Sequence, residues 1–216
     1  MRTSDLQDYD CIVFVEGPND RKIFGKWAKK IVPTTSILLV PSEGWTNMDY
    51  FANASIVDEL DKPLFVIFDG DTDREHVRSI KAKLVTRLKL DPRSIITLKG
   101  RSIEDYLLNT RSMKAAFPEI QLKESEIRAS LQSSRRKQNK KTVLDLFFKR
   151  YVGRKYDGET GERIAAHMTL GEIDSEIVDI FTRIGEVAKA DQGLTSKSKG
   201  RGTQKFEVEK PITERK

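Results

Sequence analysis

Four short, almost wholly apolar runs, Cys11–Val15, 37–40, Leu64–Phe68 and 95–98, alternate with stretches of helical period, and few folds satisfy that alternation. A run apolar at every position, rather than at every second one, reads as a strand buried on both faces. The spacing predicts a helix over Pro18–Ile31, with Ile23, Phe24, Trp27 and Ile31 on one face and Pro18 in the first turn. A second is predicted over 46–60, capped by Thr46 or Asn47, and a third over 73–90, with Val77, Ile80, Leu84, Val85 and Leu88 aligned and Asp91-Pro92 ending it. A short helix is expected at 103–108. Strands alternating with helices imply an α/β fold, a parallel sheet of about four strands joined by right-handed crossovers. From about residue 111 the pattern is helical, clearest at 125–133, 142–152 and 173–188. The chain therefore divides into an α/β domain at 1–110, a helical appendage at 111–190, and a tail at 191–216. The tail is rich in Gly, Ser, Lys and Thr, has no apolar period, and is expected to stay disordered. No internal repeat is present.

Acidic residues stand just past three of the runs. Glu16 and Asp20 follow the first, Asp69 and Asp71 the third, and Glu104 the fourth. The C-terminal ends of parallel strands share one edge, where ligands bind, so these carboxylates should converge there. Hard oxygen donors meeting at one place suit Mg²⁺, Mn²⁺ or Ca²⁺. Plainer readings exist for each cluster. Asp20 in the first helical turn is favoured by the helix dipole, Asp69-Gly70 is ordinary turn chemistry, and Asp73 reads as a helix N-cap. Yet three acids within 69–73 repel one another unless a cation neutralises them. Asp69 and Asp71, two apart, can turn both carboxylates to one side of an extended backbone. Gly17 is expected to let the chain turn tightly between strand and helix.

The formal net charge is +6 and the pI about 9.3, but the charge is uneven. Residues 128–155 hold ten Lys or Arg against one acid, Asp145, so the rest of the chain is net negative. A basic flank beside an acidic edge suits a polyanionic partner. Within that flank Arg135, Arg136 and Lys137 lie in a run without aromatic residues, which would grip a nucleic-acid backbone without reading sequence; the plainer reading is a solvated basic loop. Trp45 either lines the sheet edge or serves as a core or capping residue. The single cysteine, Cys11, reads as a buried, inert thiol, and with His76 and His167 it cannot build a zinc site. His76 reads as a surface residue and His167 as packing. The polar, acidic N-terminus does not look like a signal peptide. No stretch approaches the roughly 18 apolar residues that span a bilayer. A cytoplasmic setting without membrane contact is expected.

The order and spacing of the acids resemble the Toprim domain, over about residues 9–108: Glu16 after the first strand, and Asp69-Gly70-Asp71 after the third. Within that family the chain is most similar to the OLD-type (overcoming lysogenization defect) nucleases. Val15-Glu16-Gly17-Pro18-Asn19-Asp20 is similar to their first motif, Phe68-Asp69-Gly70-Asp71 to their second, and Ser102-Ile103-Glu104-Asp105-Tyr106-Leu107 to their third. Asn139-Lys140-Lys141-Thr142-Val143-Leu144 matches a segment in which members carry a lysine. The resemblance implies a Toprim-like Rossmannoid sheet and a two-metal Mg²⁺ or Mn²⁺ site. Glu16, Asp20, Asp69, Asp71 and Glu104 would be its ligands, Asp69, Asp71 and Glu104 serving one metal and Glu16 and Asp20 the other. Such a site would suit phosphodiester hydrolysis, one metal activating water and the other stabilising the leaving oxygen. Lys140 or Lys141 would stabilise charge on the reacting phosphate, or else simply contact backbone.

OLD proteins usually carry an ATPase domain ahead of the Toprim domain. Here the first strand begins near residue 11 and no G-x-x-x-x-G-K-[ST] occurs; Gly25-Lys26 falls inside an amphipathic helix. A free-standing protein, a separated subunit or an excised piece is therefore expected, with any ATPase partner acting in trans. The leading expectation is a metal-dependent nuclease acting on DNA or RNA, an antiphage defence effector. The alternative is a non-catalytic Toprim module that binds nucleic acid or a partner ATPase. Topoisomerase chemistry needs clamp domains for which 216 residues leave little room, and no nucleotide-handling surface of a primase is identifiable.

Overall fold

The structure, a computed structural model, describes residues 8–43, 62–87, 89–133 and 139–199. Four parallel strands form one sheet: β1 is Cys11–Val15, β2 Ile37–Pro41, β3 Leu64–Phe68 and β4 Ile95–Thr97, in the order β2-β1-β3-β4. Val13 stands between Leu39 of β2 and Phe65 of β3, and Val66 is opposite Ile95 of β4. Side chains alternate across the sheet. Val13, Val15, Phe65, Ile67 and Ile96 bury on one face, and Ile12, Phe14, Val66, Phe68 and Ile95 on the other. Both faces are covered, which is why the strands read as unbroken apolar runs.

Seven helices are present among the described residues: α1 (Pro18–Ile31), α2 (Arg74–Arg87), α3 (Thr110–Ala116), α4 (Glu124–Ser133), α5 (Lys140–Tyr151), α6 (Gly158–His167) and α7 (Ser175–Lys199). Short 3₁₀ turns occupy Pro92–Ser94, Ile103–Leu107 and Leu170–Glu172. On one face of the sheet α2 buries Ile80 and Leu84, with Val77 and Val85 partly covered. The expected helix at 46–60 and Leu88 lie outside the described residues. On the other face α1 buries Ile23, Phe24 and Trp27 in the cluster that also holds Met113, Phe117, Phe148 and Phe181. Phe24 meets Phe181 with ring centroids 5.6 Å apart, and Phe117 meets Phe148 at 4.9 Å. The helices beyond residue 110 thus bury side chains in one core with β1 and β3.

Polar side chains start several helices by accepting otherwise unpaired N–H groups. Asn109 accepts from Ser112 N–H at 2.9 Å, Asn139 from Thr142 N–H at 2.8 Å and Asp157 from Thr160 N–H at 2.8 Å. Two expectations need correction. The segment expected to be a short helix at 103–108 is a 3₁₀ turn, Ile103–Leu107. The disordered tail was expected from residue 191, but α7 continues to Lys199. An established helix adds residues cheaply, and nothing from Asp191 to Lys199 is a proline that would stop it. Residues 200–216 lie outside the described residues.

Candidate functional site

The sheet order reverses between its two central strands: β1 leads to β2 on one side, and β3 leads to β4 on the other. A crevice opens at such a reversal, beyond the C-terminal strand ends. Here it is a cleft of about 410 Å³ whose lining includes Glu16, Asp20, Asp69, Asp71, Glu104 and Lys141. The fold therefore brings together all five acids singled out in the sequence.

Hydrogen bonds lock the strand exits to one another. The Glu16 Oε1 atom accepts from Asp69 N–H at 2.9 Å and from the Thr72 hydroxyl. Ser42, just past β2 and 1 % exposed, sends its hydroxyl toward Val15 O at 3.1 Å and Glu16 O at 3.2 Å. Gly17 N–H donates to Asp20 Oδ2 at 2.8 Å. Gly17 itself has φ −139°, extended backbone open to any residue, and an added Cβ would clear its nearest neighbour at 3.5 Å. The expected need for glycine at this turn is not found.

Gly70 is a different case. Its N–H donates to Gly100 O at 3.1 Å, and Asp71 N–H donates to Arg101 O at 3.0 Å. A Cβ on Gly70 would lie 2.2 Å from Gly100 O, and one on Gly100 would lie 2.6 Å from the Tyr106 ring. Only glycine permits these approaches. Tyr106 Oη accepts from Gly100 N–H at 2.7 Å and donates to Glu176 Oε2 at 2.7 Å, while Glu176 Oε1 accepts from Lys99 N–H at 3.0 Å. The first turn of α7 thus braces the loop after β4, and that loop braces Asp69–Asp71.

The acids form one electrostatic group. Asp20 is 9 % exposed and its pKa is pushed up to about 7. Burial is the main cause; the Gly17 bond opposes it, Glu104 and Glu16 add to it, and Lys141 opposes it. Asp69 is pushed up to about 8, first by burial and then by Asp20, Glu16, Glu104 and Asp71. Glu104 is buried, whereas Asp71 stands exposed at the rim. Five hard oxygen donors that repel one another fit a divalent cation, and among the described residues no soft ligand lines the cleft. As they stand, no three His, Cys, Asp or Glu among the described residues are arranged as a metal cage. Such a set suits an ion that keeps several waters and takes one or two carboxylates directly, as Mg²⁺ does.

The lysines separate. Lys141, in the first turn of α5, lines the cleft and is felt by Asp20. Lys140 Nζ lies 3.7 Å from Asp105 Oδ1 and is absent from the lining. Arg135, Arg136, Lys137 and Trp45 lie outside the described residues. His76 is exposed, and Asp73 Oδ1 accepts from Glu75 and His76 N–H at 2.8 and 3.1 Å. His167 is exposed too, so the packing role read for it is not found; Nδ1 lies 2.9 Å from Arg163 O. Sequence reasoning missed Thr72, Tyr106, Asn139 and Glu176 as parts of the site. The first three lie within or beside the motifs, but Glu176 is 70 residues from Tyr106 and gave no signal. Among the described residues no helix is long and apolar enough to cross a membrane.

No family model and no curated protein matches the sequence. Solved structures do. The C-terminal region of the Xanthomonas campestris pv. campestris OLD protein, phased with platinum, superposes with a TM-score of 0.58 at 13% identity, over 88% of this chain and 99% of that one. The same region phased with mercury gives 0.56 at 14%, over 85% and 98%. The C-terminal region of the Burkholderia pseudomallei OLD protein gives 0.55 at 15%, over 83% and 98%. The chain shares its fold with OLD C-terminal regions. The breadth of the OLD match takes in the helices beyond residue 110 as well as the sheet, and at such identities the likeness is one of fold.

Proposed function

We propose that this chain is a metal-dependent nuclease that hydrolyses phosphodiester bonds in DNA or RNA. The observation that carries the reading is the cleft at the β1/β3 reversal, where five acids from three strand exits meet a lysine from α5. The fold shared with OLD C-terminal regions supports it. Glu16, Asp20, Asp69, Asp71 and Glu104 would hold one or two Mg²⁺ or Mn²⁺ ions. Bound there, such ions supply Lewis acidity, polarising a phosphoryl oxygen and making water a stronger nucleophile. Glu16 is held in place by Asp69 N–H and Thr72, and the 69–71 loop by Gly100 and Tyr106. Lys141 would present its ammonium group to a phosphate oxygen. The N-terminus of α5, whose Asn139 also lines the cleft, favours negative charge at the same place. Arg135, Arg136 and Lys137 would add contacts to the nucleic-acid backbone. An ATPase acting in trans and a role in antiphage defence complete the proposal.

The test is incubation of the full chain with supercoiled plasmid, linear DNA and tRNA under Mg²⁺, Mn²⁺ and EDTA, beside Asp69→Ala and Glu16→Ala. Cleavage with metal, lost in EDTA and in both folded variants, is expected; full cleavage by folded Asp69→Ala would refute the assignment. A second reading, a non-catalytic module, draws on the lack of a preassembled three-ligand cage among the described residues. It predicts a protein that binds nucleic acid with metal present and never cuts it.

A further inference from the structure

The helix that follows β1 carries two different stripes. One buries Ile23, Phe24 and Trp27; the other displays Arg21, Lys22, Lys26 and Lys29. These four cations, with Pro18 and with Glu162 of α6, line a groove of about 490 Å³. Pro18 also lines the acidic cleft, so groove and cleft adjoin at the first turn of α1.

The basic residues of α1 are not alike in how they are used. Lys30 is committed to the fold: Nζ donates to Ala166 O at 2.7 Å, to Ala165 O at 3.2 Å and to Met168 O, at the end of α6. Lys26 Nζ lies 3.0 Å from Glu162 Oε1, a solvent-open pair of little energetic weight. Arg21, Lys22 and Lys29 are exposed and form no ion pair among the described residues. A smaller adjoining hollow, about 340 Å³, shares Lys22 and Lys26 and sets Arg163 against Glu159 and Glu162. Among the described residues that line both hollows, cations outnumber acids.

We propose that this groove is a contact surface for the phosphodiester backbone of nucleic acid, guiding the strand to and from the cleft. The proposal rests on the nuclease reading and deepens it. An array of carboxylates repels the polyanion it must cut, and a cationic track at its margin offsets that repulsion and steers the substrate in. From Arg21 to Lys29 the helix rises about 12 Å at 1.5 Å per residue, which matches roughly three to four nucleotide steps of about 3.4 Å. Among the described residues no aromatic side chain lines the groove, so it would hold phosphates and not stack bases.

The experiment measures equilibrium binding of the full chain to fluorescein-labelled duplex DNA and to tRNA, in EDTA, across a range of salt. The wild type is compared with Arg21→Ala/Lys22→Ala/Lys29→Ala. Alanine is the best helix former, so the variant should keep its fold, which circular dichroism verifies. Affinity should fall about tenfold or more near 0.1 M salt, and the salt slope by about 2 to 3, close to 0.9 for each B-DNA phosphate that the variant no longer neutralises. Lys22→Glu/Lys29→Glu should bind more weakly still. Weakened binding to either polymer supports the groove and identifies its ligand. Unchanged affinity and slope on both, in both variants, overturns it, as does a wild type that binds neither. Cleavage of plasmid, linear DNA or tRNA by the wild type with Mg²⁺ or Mn²⁺ tests the nuclease reading separately: no cleavage of any of the three beside weakened variants removes the nuclease and leaves the groove, while cleavage beside unweakened variants does the reverse.

Discussion

Asp69 titrates near pH 8 in the folded chain, where burial and four neighbouring carboxylates disfavour its charge; unfolded, it would titrate near about 3.9. A folded pKa raised above the unfolded one means that the stabilising contribution is complete below about pH 4 and is lost as pH rises toward 8. Asp20, pushed to about 7, acts in the same direction. In EDTA, Asp69→Asn should therefore melt several degrees above wild type at pH 8, at about 2–4 °C per kcal/mol for a chain of this size, and the gain should vanish near pH 4. Thermal melts of both proteins across that range check it; an equal gain at every pH would mean that charge is not the cause. Adding Mg²⁺ at pH 8 should raise the wild-type melting temperature more than that of Asp69→Asn. Lys140 and Lys141 make a second contrast between neighbours. If Lys141 meets the phosphate as charge develops, Lys141→Ala should bind substrate nearly normally yet cut about 10²–10³-fold more slowly in single turnover. Lys140, engaged with Asp105 outside the cleft, should lose less than about threefold in cutting. Equal losses in binding and cutting for both variants would reduce the lysines to phosphate contacts.

At the level of elements, the Asp69–Asp71 loop depends on parts the local pattern does not announce. β1 to β4 were legible because burial on both faces leaves an unbroken apolar run, and the acids were legible because they gather just past those runs. The order β2-β1-β3-β4 was not, since a run of Val, Ile and Phe does not say which neighbour it pairs with, and that order is what places the cleft between β1 and β3. The bracing of the Asp69–Asp71 loop was hidden for the same reason: Tyr106 and Glu176 meet only after α7 has packed against the loop following β4. Tyr106→Phe removes both bonds of the Tyr106 hydroxyl while keeping the ring. At about 1 kcal/mol per hydrogen bond, it should lower the melting temperature by a few degrees and weaken Mg²⁺ binding several-fold by calorimetry. Gly100→Ala should do more damage, because its Cβ would meet the ring at 2.6 Å and the loop or ring must move. A Tyr106→Phe protein with unaltered Mg²⁺ affinity would show that the brace supports the fold and not the acids.

For the molecule as a whole, the question is whether residues 1–110 could stand alone. The sequence pattern changes at that point, from alternating strands and helices to helices only. The packing does not follow the change. Ile23, Phe24, Trp27, Ile103 and Leu107 lie in one cluster with Met113, Phe117, Phe148 and Phe181, and each of the five is at most 2 % exposed. Burying a large apolar side chain contributes roughly 1.5–3 kcal/mol. If a fragment ending at residue 110 lost even half of that burial for these five, it would forfeit about 4–8 kcal/mol, a large share of the roughly 5–15 kcal/mol typical of a domain. It would also lose Glu176, the anchor of the loop that holds Asp69 and Asp71. The fragment should show no cooperative urea transition and little near-ultraviolet dichroism, whereas the full chain should unfold in a single transition. A fragment that unfolds cooperatively near the full chain's midpoint would make the helices an appendage to a self-sufficient sheet, and the cleft would then have to be read as the sheet's own property.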